Sequence, residues 1–397
     1  MRVLQIPPGF YPIPSKNRAA AIEEIIFQLC NHLTRNNCDV FLIDIREDII
    51  KREGLLATIK EVPDFFPNRK RSSSFYFHVK TILFAFLCIP KIIRLINNEK
   101  IDIIHTHYSY SALSILIIGK LFNIPVVHTT HAHDTIMIFT IKNRIKGFAE
   151  YIVLKKADHI IAPTPSVKKK LIQNFNINEK KIAIIYSGTS IREHKCFSIN
   201  DTYKNKLPVL NHVILCVGRY STRKNQLALL ESIPKILRTE KKIMFIFIGP
   251  INEPEYYNSM KKYVDDQNLS EWVEFIGEST KERLIECYKK ATLFVFPTTA
   301  EIQGIVLIEA MSFGIPVIAS KIEPIIDISN LEENCIFLVN QNNPDEIANA
   351  ILSLMKNPEL CNLMSRKGMD LASRFSWDQI AKQTIHLYDE VINKFPK

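Results

Sequence analysis

Short apolar runs alternate along this chain with segments in which apolar residues recur every three or four positions. The run RVLQI (Arg2–Ile6) has the length and continuity of a strand buried on both faces, and it ends in a proline-rich loop, PPGFYPIPSKN. In the next segment Ile22, Ile25, Ile26, Leu29 and Leu33 fall on one helical stripe. DVFLIDI reads as a second strand, and IDIIH, IPVVHT, HIIAP and IAIIY continue the series, with helical patterns between most of them. The rhythm then restarts with HVILCVG, a helix from about Lys224, IMFIFIG, a helix near Glu255, WVEFIG and LFVFP. Strands alternating with helices predict parallel sheets covered on both faces. The intervening REHKCFSINDTYKNKLPVLN is polar and weakly periodic, as a linker is. The pattern predicts an α/β protein of two Rossmann-like domains with a cleft between them. Ligands of such sheets sit at the carboxyl ends of the strands, which points to the loops after LQI, VVHT, LCVG and FVFP.

One of those loops leads into an unusual stretch, TTAEIQGIVLIEAMSFGIPVIAS (Thr298–Ser320). From Gly304 to Phe313 nearly every residue is apolar, the mark of a buried helix. Gly304 suits a tight entry, Gly314 a C-terminal cap, and Pro316 follows just beyond. Glu309 lies inside this helix, where a carboxylate without a partner is costly. Glu301 lies just before its start. Free N–H groups and the positive end of the dipole make a helix N-terminus a site for phosphate, and Glu309 is placed to accept from a ligand's hydroxyls. Thr298 and Glu301 equally spell a capping box, and Glu309 equally suits pairing with a Lys or Arg; spacing alone leaves both open. Upstream, LCVGRYSTRKNQ sets Arg219 directly after a strand and Lys224 five residues on. A guanidinium fork and an ammonium point charge together neutralise a diphosphate, or else both are simply solvated.

Composition narrows the setting. A chain of 397 residues suits two domains, and 47% hydrophobic with 23% charged residues describes a globular protein. Eight scattered cysteines without a C-x-x-C suggest free thiols in a reducing cytoplasm. Only four residues separate Arg2 from Pro7, too few for a signal-peptide apolar region, and no run nears the roughly 20 residues of a spanning helix. No G-x-G-x-x-G follows a strand, so no dinucleotide cofactor is expected. Charge is uneven: residues 1–185 hold 26 Lys+Arg against 15 Asp+Glu, and the remainder 25 against 26. The basic half suggests an anionic partner, such as a membrane surface or an acidic acceptor, or it is simply a well-solvated surface. Nucleic acid is not expected, because no recognition module is present.

These segments carry a family resemblance. AEIQGIVLIEAMSFGIPVIAS resembles the E-x7-E region of the family-4 glycosyltransferases, which have the GT-B fold. GRYSTRKNQ is similar to the family's donor-phosphate loop, and ADHIIAPTPSVKKKLI and KIAIIYSGTS to its strand–helix and domain-crossing region. IPVVHTTH is similar to its strand ending in a histidine, and FSWDQIAKQTIHLY to its C-terminal helix. The ordered set spans almost the whole chain and looks like transferases of bacterial cell-envelope polysaccharide and lipopolysaccharide.

The resemblance implies an acceptor-binding domain over 1–190, completed by a C-terminal helix at about 376–397, and a donor-binding domain over 205–375. Arg219 and Lys224 would hold the nucleotide diphosphate, and Glu309 the ribose hydroxyls. Glu301 would act beside the transferred sugar, with the N–H groups of Ile302, Gln303, Gly304 and Ile305 along sugar and phosphate. His131 would stand on the acceptor side. The implied reaction moves a hexose from a UDP- or GDP-linked sugar to a lipid-linked or cell-envelope glycan, with retention, without metal or cofactor, at the inner face of the cytoplasmic membrane. The lack of an Asp-x-Asp motif agrees.

Departures from the family pattern are specific. The first loop, PIPSKNRAAAIEE, has no glycine, which leaves Ser15, Lys16, Asn17 and Arg18 to meet phosphate or acceptor by side chain, with Glu23 as the acidic residue that follows. Ile302 and Gln303 replace the usual glycine and aromatic, and YSGTS lacks the usual asparagine. Two rival readings remain: a sugar-nucleotide epimerase or hydrolase on the same fold, and a metal hydrolase using His105, His107, His131 and His133 with Asp134. The segment Asn68–Ile96 joins a basic run to a nine-residue apolar stretch, Ile82–Pro90. It reads either as an interfacial anchor for anionic lipid or as an ordinary helix covering the first sheet.

Overall fold

The computed structural model describes residues 1–14, 21–46, 54–63, 74–131, 144–189 and 212–396, with side chains for all of these except 74–78 and 144–146. The chain divides into two compact units, Met1–Gly188 with Trp377–Lys397, and Thr189–Ser376.

Unit 1 is built on seven parallel strands: β1 (Arg2–Ile6), β2 (Asp39–Ile45), β3 (Thr58–Val62), β4 (Ile103–Thr106), β5 (Val126–Thr129), β6 (His159–Ala162) and β7 (Ile182–Ile184). Their order is β3-β2-β1-β4-β5-β6-β7, so the winding reverses between β1 and β4. In that register Gln5 stands opposite His105. The helices are α1 (Ala21–Arg35), α2 (Ser74–Glu99), α3 (Ser109–Phe122), α4 (Arg144–Lys156) and α5 (Pro165–Phe175). The predicted stripe on α1 buries Ile26, Leu29 and Leu33. On the face carrying α2 and α3, Phe84, Cys88 and Ile92 pack with Ile115 and Ile118 over Leu4 and Ile104. Removing a methylene-rich side chain from such a core costs about 2–5 kcal/mol. Strand β3 was not among the predicted strands. Its sequence, TIKEV, alternates half-exposed and exposed positions on a sheet edge, so it has no continuous apolar run.

Unit 2 has six parallel strands: β8 (His212–Val217), β9 (Ile243–Ile248), β10 (Val273–Ile276), β11 (Leu293–Phe296), β12 (Val317–Ser320) and β13 (Ile336–Val339). Their order is β10-β9-β8-β11-β12-β13, with the reversal between β8 and β11. The helices are α6 (Gln226–Ile236), α7 (Pro254–Asp266), α8 (Lys281–Lys290), α9 (Ile305–Ser312), α10 (Glu323–Ser329), α11 (Pro344–Met355) and α12 (Pro358–Ser373). Phe245 and Phe247 lie under Leu229 and Ile233 of α6 and Ile347 and Ile351 of α11. The loops after β8 and β9 approach so closely that a Cβ on Gly249 would collide with the carbonyl oxygen of Gly218. Only glycine fits there.

The last helix, α13 (Trp377–Lys394), belongs to unit 1. Its Ile380, Leu387 and Val391 close the core formed by Ile26, Leu29 and Leu33 of α1. The expectation of two Rossmann-like sheets with a helix returning to the first is met.

Candidate active site

In a doubly wound sheet the ligand crevice opens where the strand order reverses. In unit 2 that point lies between β8 and β11, and the loops that follow them are joined. The carbonyl of Arg223 accepts from Thr299 N (2.8 Å) and Thr299 Oγ1 (3.0 Å). The Thr298 hydroxyl is surrounded by acceptors: the carbonyls of Arg223 and Ala300 at 3.1 Å and Oε1 of Glu301 at 3.2 Å. Arg219 is held at its backbone, where its carbonyl accepts from Gln226 Nε2 at 2.9 Å. Next to it, buried Tyr220 donates to the carbonyl of Phe247 at 2.7 Å. Lys224 sits near the start of α6, as expected, in a 3-10 turn (Thr222–Lys224) that Asn225, with a left-handed φ of 51°, separates from the helix.

The two loops bring Lys224 and Glu301 together. Lys224 Nζ pairs with Glu301 Oε1, with side-chain exposures of 14% and 9%, and lies 4.9 Å from the centre of the Phe296 ring. Glu301 is therefore no capping-box residue. The helix starts only at Ile305, and Gly304 is its N-cap at φ 81°, with no side-chain cap and no acidic residue in the first turn. Ile302 and Ile305 are half-buried, and Gln303 is buried. At the far end of α9, Gly314 N–H bonds to the carbonyl of Met311 and Ile315 N–H to that of Ala310. This is the C-terminal cap expected of Gly314.

The partner of Glu309 is a phenol. Tyr288 Oη, on α8, donates to Glu309 Oε2 at 2.9 Å, and its ring stacks on Phe313 at 5.2 Å between centroids. Burial, then the adjacent carboxylate, pushes this phenol well above its ordinary 10, so it remains a donor. Nothing in the spacing of the sequence marks Tyr288, which lies on a different helix.

In unit 1 the reversal lies between β1 and β4. The loop after β1 is anchored where Ile13 N–H donates to Asp44 Oδ2 at 2.7 Å. Ser15, Lys16, Asn17 and Arg18 lie outside the described residues, and Glu23 is buried in the first turn of α1. Beside this loop stands a chain of histidines. His105 is 2.6 Å from Tyr388 Oη through Nδ1 and 2.6 Å from Thr129 Oγ1 through Nε2. His107 is 2.8 Å from Gln5 Oε1 through Nε2 and 3.2 Å from His131 Nε2 through Nδ1. His128 Nδ1 meets Thr106 Oγ1 at 2.9 Å. Burial holds His105 and His107 well below the ordinary 6.5, and pushes His128 down to about 3. All three are neutral.

Of the residues of the metal reading, His105, His107 and His131 are described. Both ring nitrogens of His105 and of His107 are engaged by protein groups. Among the described residues no group of three or more His, Cys, Asp and Glu side chains is placed to hold a metal ion. His133 and Asp134 lie outside the described residues. The seven described cysteines are free and buried.

No helix among the described residues is long and apolar enough to cross a membrane. Yet α2, α3 and α4 pack side by side and expose large apolar side chains: Phe86 and Ile117 at 65%, Leu121 at 76%, Phe148 at 65%. Helix α3 is apolar on nearly every side, the composition of a covered helix.

Comparison with known proteins agrees with this architecture. The family model described as Glycosyltransferase Family 4 matches residues 22–193, and that described as Glycosyl transferases group 1 matches residues 200–370. An uncharacterised glycosyltransferase of Methanocaldococcus jannaschii is 26% identical over 317 residues, 76% of this chain and 78% of the relative. A D-inositol 3-phosphate glycosyltransferase of Corynebacterium diphtheriae is 22% identical over 410 residues, 98% of this chain and 95% of the relative. Among solved structures, a glycosyltransferase from Rickettsia africae gives a TM-score of 0.76 at 20% identity, covering 99% of each chain. Anabaena HepE in complex with UDP-glucose gives 0.72 at 17% identity, covering 98% of this chain and all of that one. At these identities the solved structures speak to the fold. The two family models take up most of the length, one on each sheet, and the chain belongs to the family-4 glycosyltransferases of the GT-B fold.

Proposed function

We propose that this glycosyltransferase moves a hexose from a UDP- or GDP-linked sugar to a lipid-linked or cell-envelope glycan, with retention of configuration and without a metal ion. The observation that carries the reading is the Lys224–Glu301 pair at the switch point of unit 2, beside the start of α9. Arg219 and Lys224 take the diphosphate, and the N–H groups from Ile302 to Ile305 run along phosphate and sugar. Glu309, oriented by Tyr288, accepts from the ribose hydroxyls. A diphosphate carries more negative charge than one carboxylate, so it draws the ammonium of Lys224 and leaves Glu301 to the hydroxyls of the transferred sugar.

Departure of the nucleoside diphosphate is the step that needs help, because negative charge gathers on its terminal oxygens. Preorganised cations and N–H donors stabilise that charge without reorganising at the moment of reaction. The departing phosphate then takes the acceptor's proton on the same face of the sugar, which yields retention. His131, in unit 1, orients sugar or acceptor and need not act as a base. The acceptor is met at an anionic membrane surface. The 26 basic against 15 acidic residues of the first 185 positions support this, as do the apolar outer sides of α2, α3 and α4. Anabaena HepE in complex with UDP-glucose and the catalytic domain of Arabidopsis starch synthase IV bound to ADP and acarbose are similar in fold.

The test is a thermal-shift screen against UDP, GDP and their sugars, repeated with Glu309→Ala. Stabilisation by one nucleotide, lost in the variant, supports the donor site, since a ligand that binds only the native state raises its apparent stability. No shift with any of them overturns it. Acceptor-dependent turnover separates a transferase from an epimerase, which needs no acceptor.

A further inference from the structure

The histidines of unit 1 are joined in an order that decides which nitrogen carries each proton. Gln5 is buried on β1, and its amide nitrogen donates to Tyr388 Oη at 3.2 Å. Its amide oxygen faces His107 Nε2 at 2.8 Å, and a carbonyl oxygen only accepts, so His107 carries its proton on Nε2. A neutral imidazole has one N–H, which makes His107 Nδ1 an acceptor. That atom lies 3.2 Å from His131 Nε2, so His131 is the donor of the pair. Tyr388 keeps the direction of the chain: having accepted from Gln5, it donates to His105 Nδ1, and His105 donates onward to Thr129.

We propose that Gln5 and His107 are positioning residues that lock His131 into the tautomer protonated on Nε2 and fix its ring plane. The proposal rests on the reading of His131 as the acceptor-side residue. It goes beyond that reading by assigning roles to residues that touch no substrate. The groups facing His107 are His105 at 4.1 Å between ring centroids, stacked His131, His128, and the Gln5 amide. Burial and these neighbouring imidazoles keep His107 neutral. Were it protonated, Nδ1 would become a donor aimed at the His131 donor, and the ring of His131 would have to turn.

Two measurements on the full-length protein test this. In 15N-histidine-labelled protein, long-range proton–nitrogen correlations are expected to show His131 protonated on Nε2; a proton on Nδ1 overturns the proposal. In kinetics, His107→Leu fills the space without an acceptor and is expected to lower kcat by about tenfold, the worth of one orienting hydrogen bond, with donor KM little changed. His107→Asn restores an acceptor oxygen where Nδ1 stood, and is expected to recover most of that loss. Unchanged kcat in the Leu variant, or an Asn variant no better than Leu, overturns the proposal. Should His107→Leu not fold, Gln5→Glu replaces it. A carboxylate on His107 Nε2 favours the imidazolium and moves the acidic limb of kcat up by about one pH unit, and an unmoved limb overturns the relay. If the tautomer is as stated but no sugar is transferred to any acceptor, the relay stands and the functional reading falls.

Discussion

Lys224 and Glu301, 77 positions apart in sequence, meet as an ion pair almost closed to solvent between the loops that follow β8 and β11. Removing one partner of such a pair leaves the other as an uncompensated buried charge, at a cost of about 3 kcal/mol or more. Lys224→Ala is therefore expected to destabilise unit 2 by that order and, on the proposed role of Lys224 at the diphosphate, to lower kcat/KM at least about 100-fold. Adding Glu301→Ala should restore much of the stability and none of the turnover. Urea unfolding with steady-state kinetics on the double-mutant cycle reads both. Additive stability losses would show that the pair is not a unit.

The phenol behind Glu309 can be removed alone. Tyr288→Phe keeps the stack on Phe313 and deletes one hydrogen bond to the carboxylate. A charge-assisted bond of this kind is worth about 1.5 kcal/mol, which predicts roughly a tenfold rise in donor KM with kcat little affected. Donor titrations of wild type and variant would decide, and equal KM values would remove Tyr288 from the site.

Acid should loosen unit 1 before unit 2. His105, His107 and His128 are buried neutral, with folded-state values below the ordinary 6.5, that of His128 at about 3. In the unfolded chain they take up protons as pH falls through 6.5, while in the folded chain they do not. The unfolded state thus binds more protons, and the stability present above pH 6.5 is lost progressively below it. Each such histidine costs up to about 1.4 kcal/mol per pH unit in that window. Denaturation midpoints at pH 7.5, 6.5 and 5.5 check this, and a flat profile between 6.5 and 5.5 would contradict it.

The outer sides of α2, α3 and α4 should hold the protein to anionic lipid. Co-sedimentation is expected with vesicles containing anionic phospholipid, weaker with purely zwitterionic ones, and reduced at high salt as the basic half is screened. Phe86→Glu with Leu121→Glu should cut the bound fraction at least about tenfold, since each exchange removes exposed apolar surface and adds repulsion. Turnover on a soluble acceptor should be unaffected. Equal partitioning of wild type and variant would dismiss this face as the contact.

How far the sequence could be read depended on where each signal was stored. Central parallel strands are buried on both faces, so HVILCV and IMFIFI announce themselves as continuous apolar runs. The edge strand TIKEV does not, because water covers part of it. The frame of α9, from Gly304 to Gly314, was legible since cap positions demand particular residues. The spacing of Thr298 and Glu301 left a cap open as one of two readings, and the structure sets it aside, because the loop between them stays unwound to reach Arg223 and Lys224. Tyr288 gave no sequence signal, and nothing in the motifs that contain Gln5 and Tyr388 marked either as a partner of the histidines. Gln5 matters only because the parallel register of β1 and β4 sets it among the histidines, and its partner Tyr388 lies 383 positions away.

The return of α13 to unit 1 sets an order for biosynthesis. Unit 2 is one uninterrupted stretch, Thr189–Ser376, whereas unit 1 needs Trp377 and beyond to cover Ile26, Leu29 and Leu33. On the ribosome, the half translated first is therefore completed last, with an apolar face of its sheet waiting open while the other half folds. The Gln5–His107–His131 chain waits as well, because Tyr388 arrives on that final helix. A chain stopped after Ser376 should accordingly carry a protease-resistant second unit and a first unit that is readily cut, with its histidines still unordered.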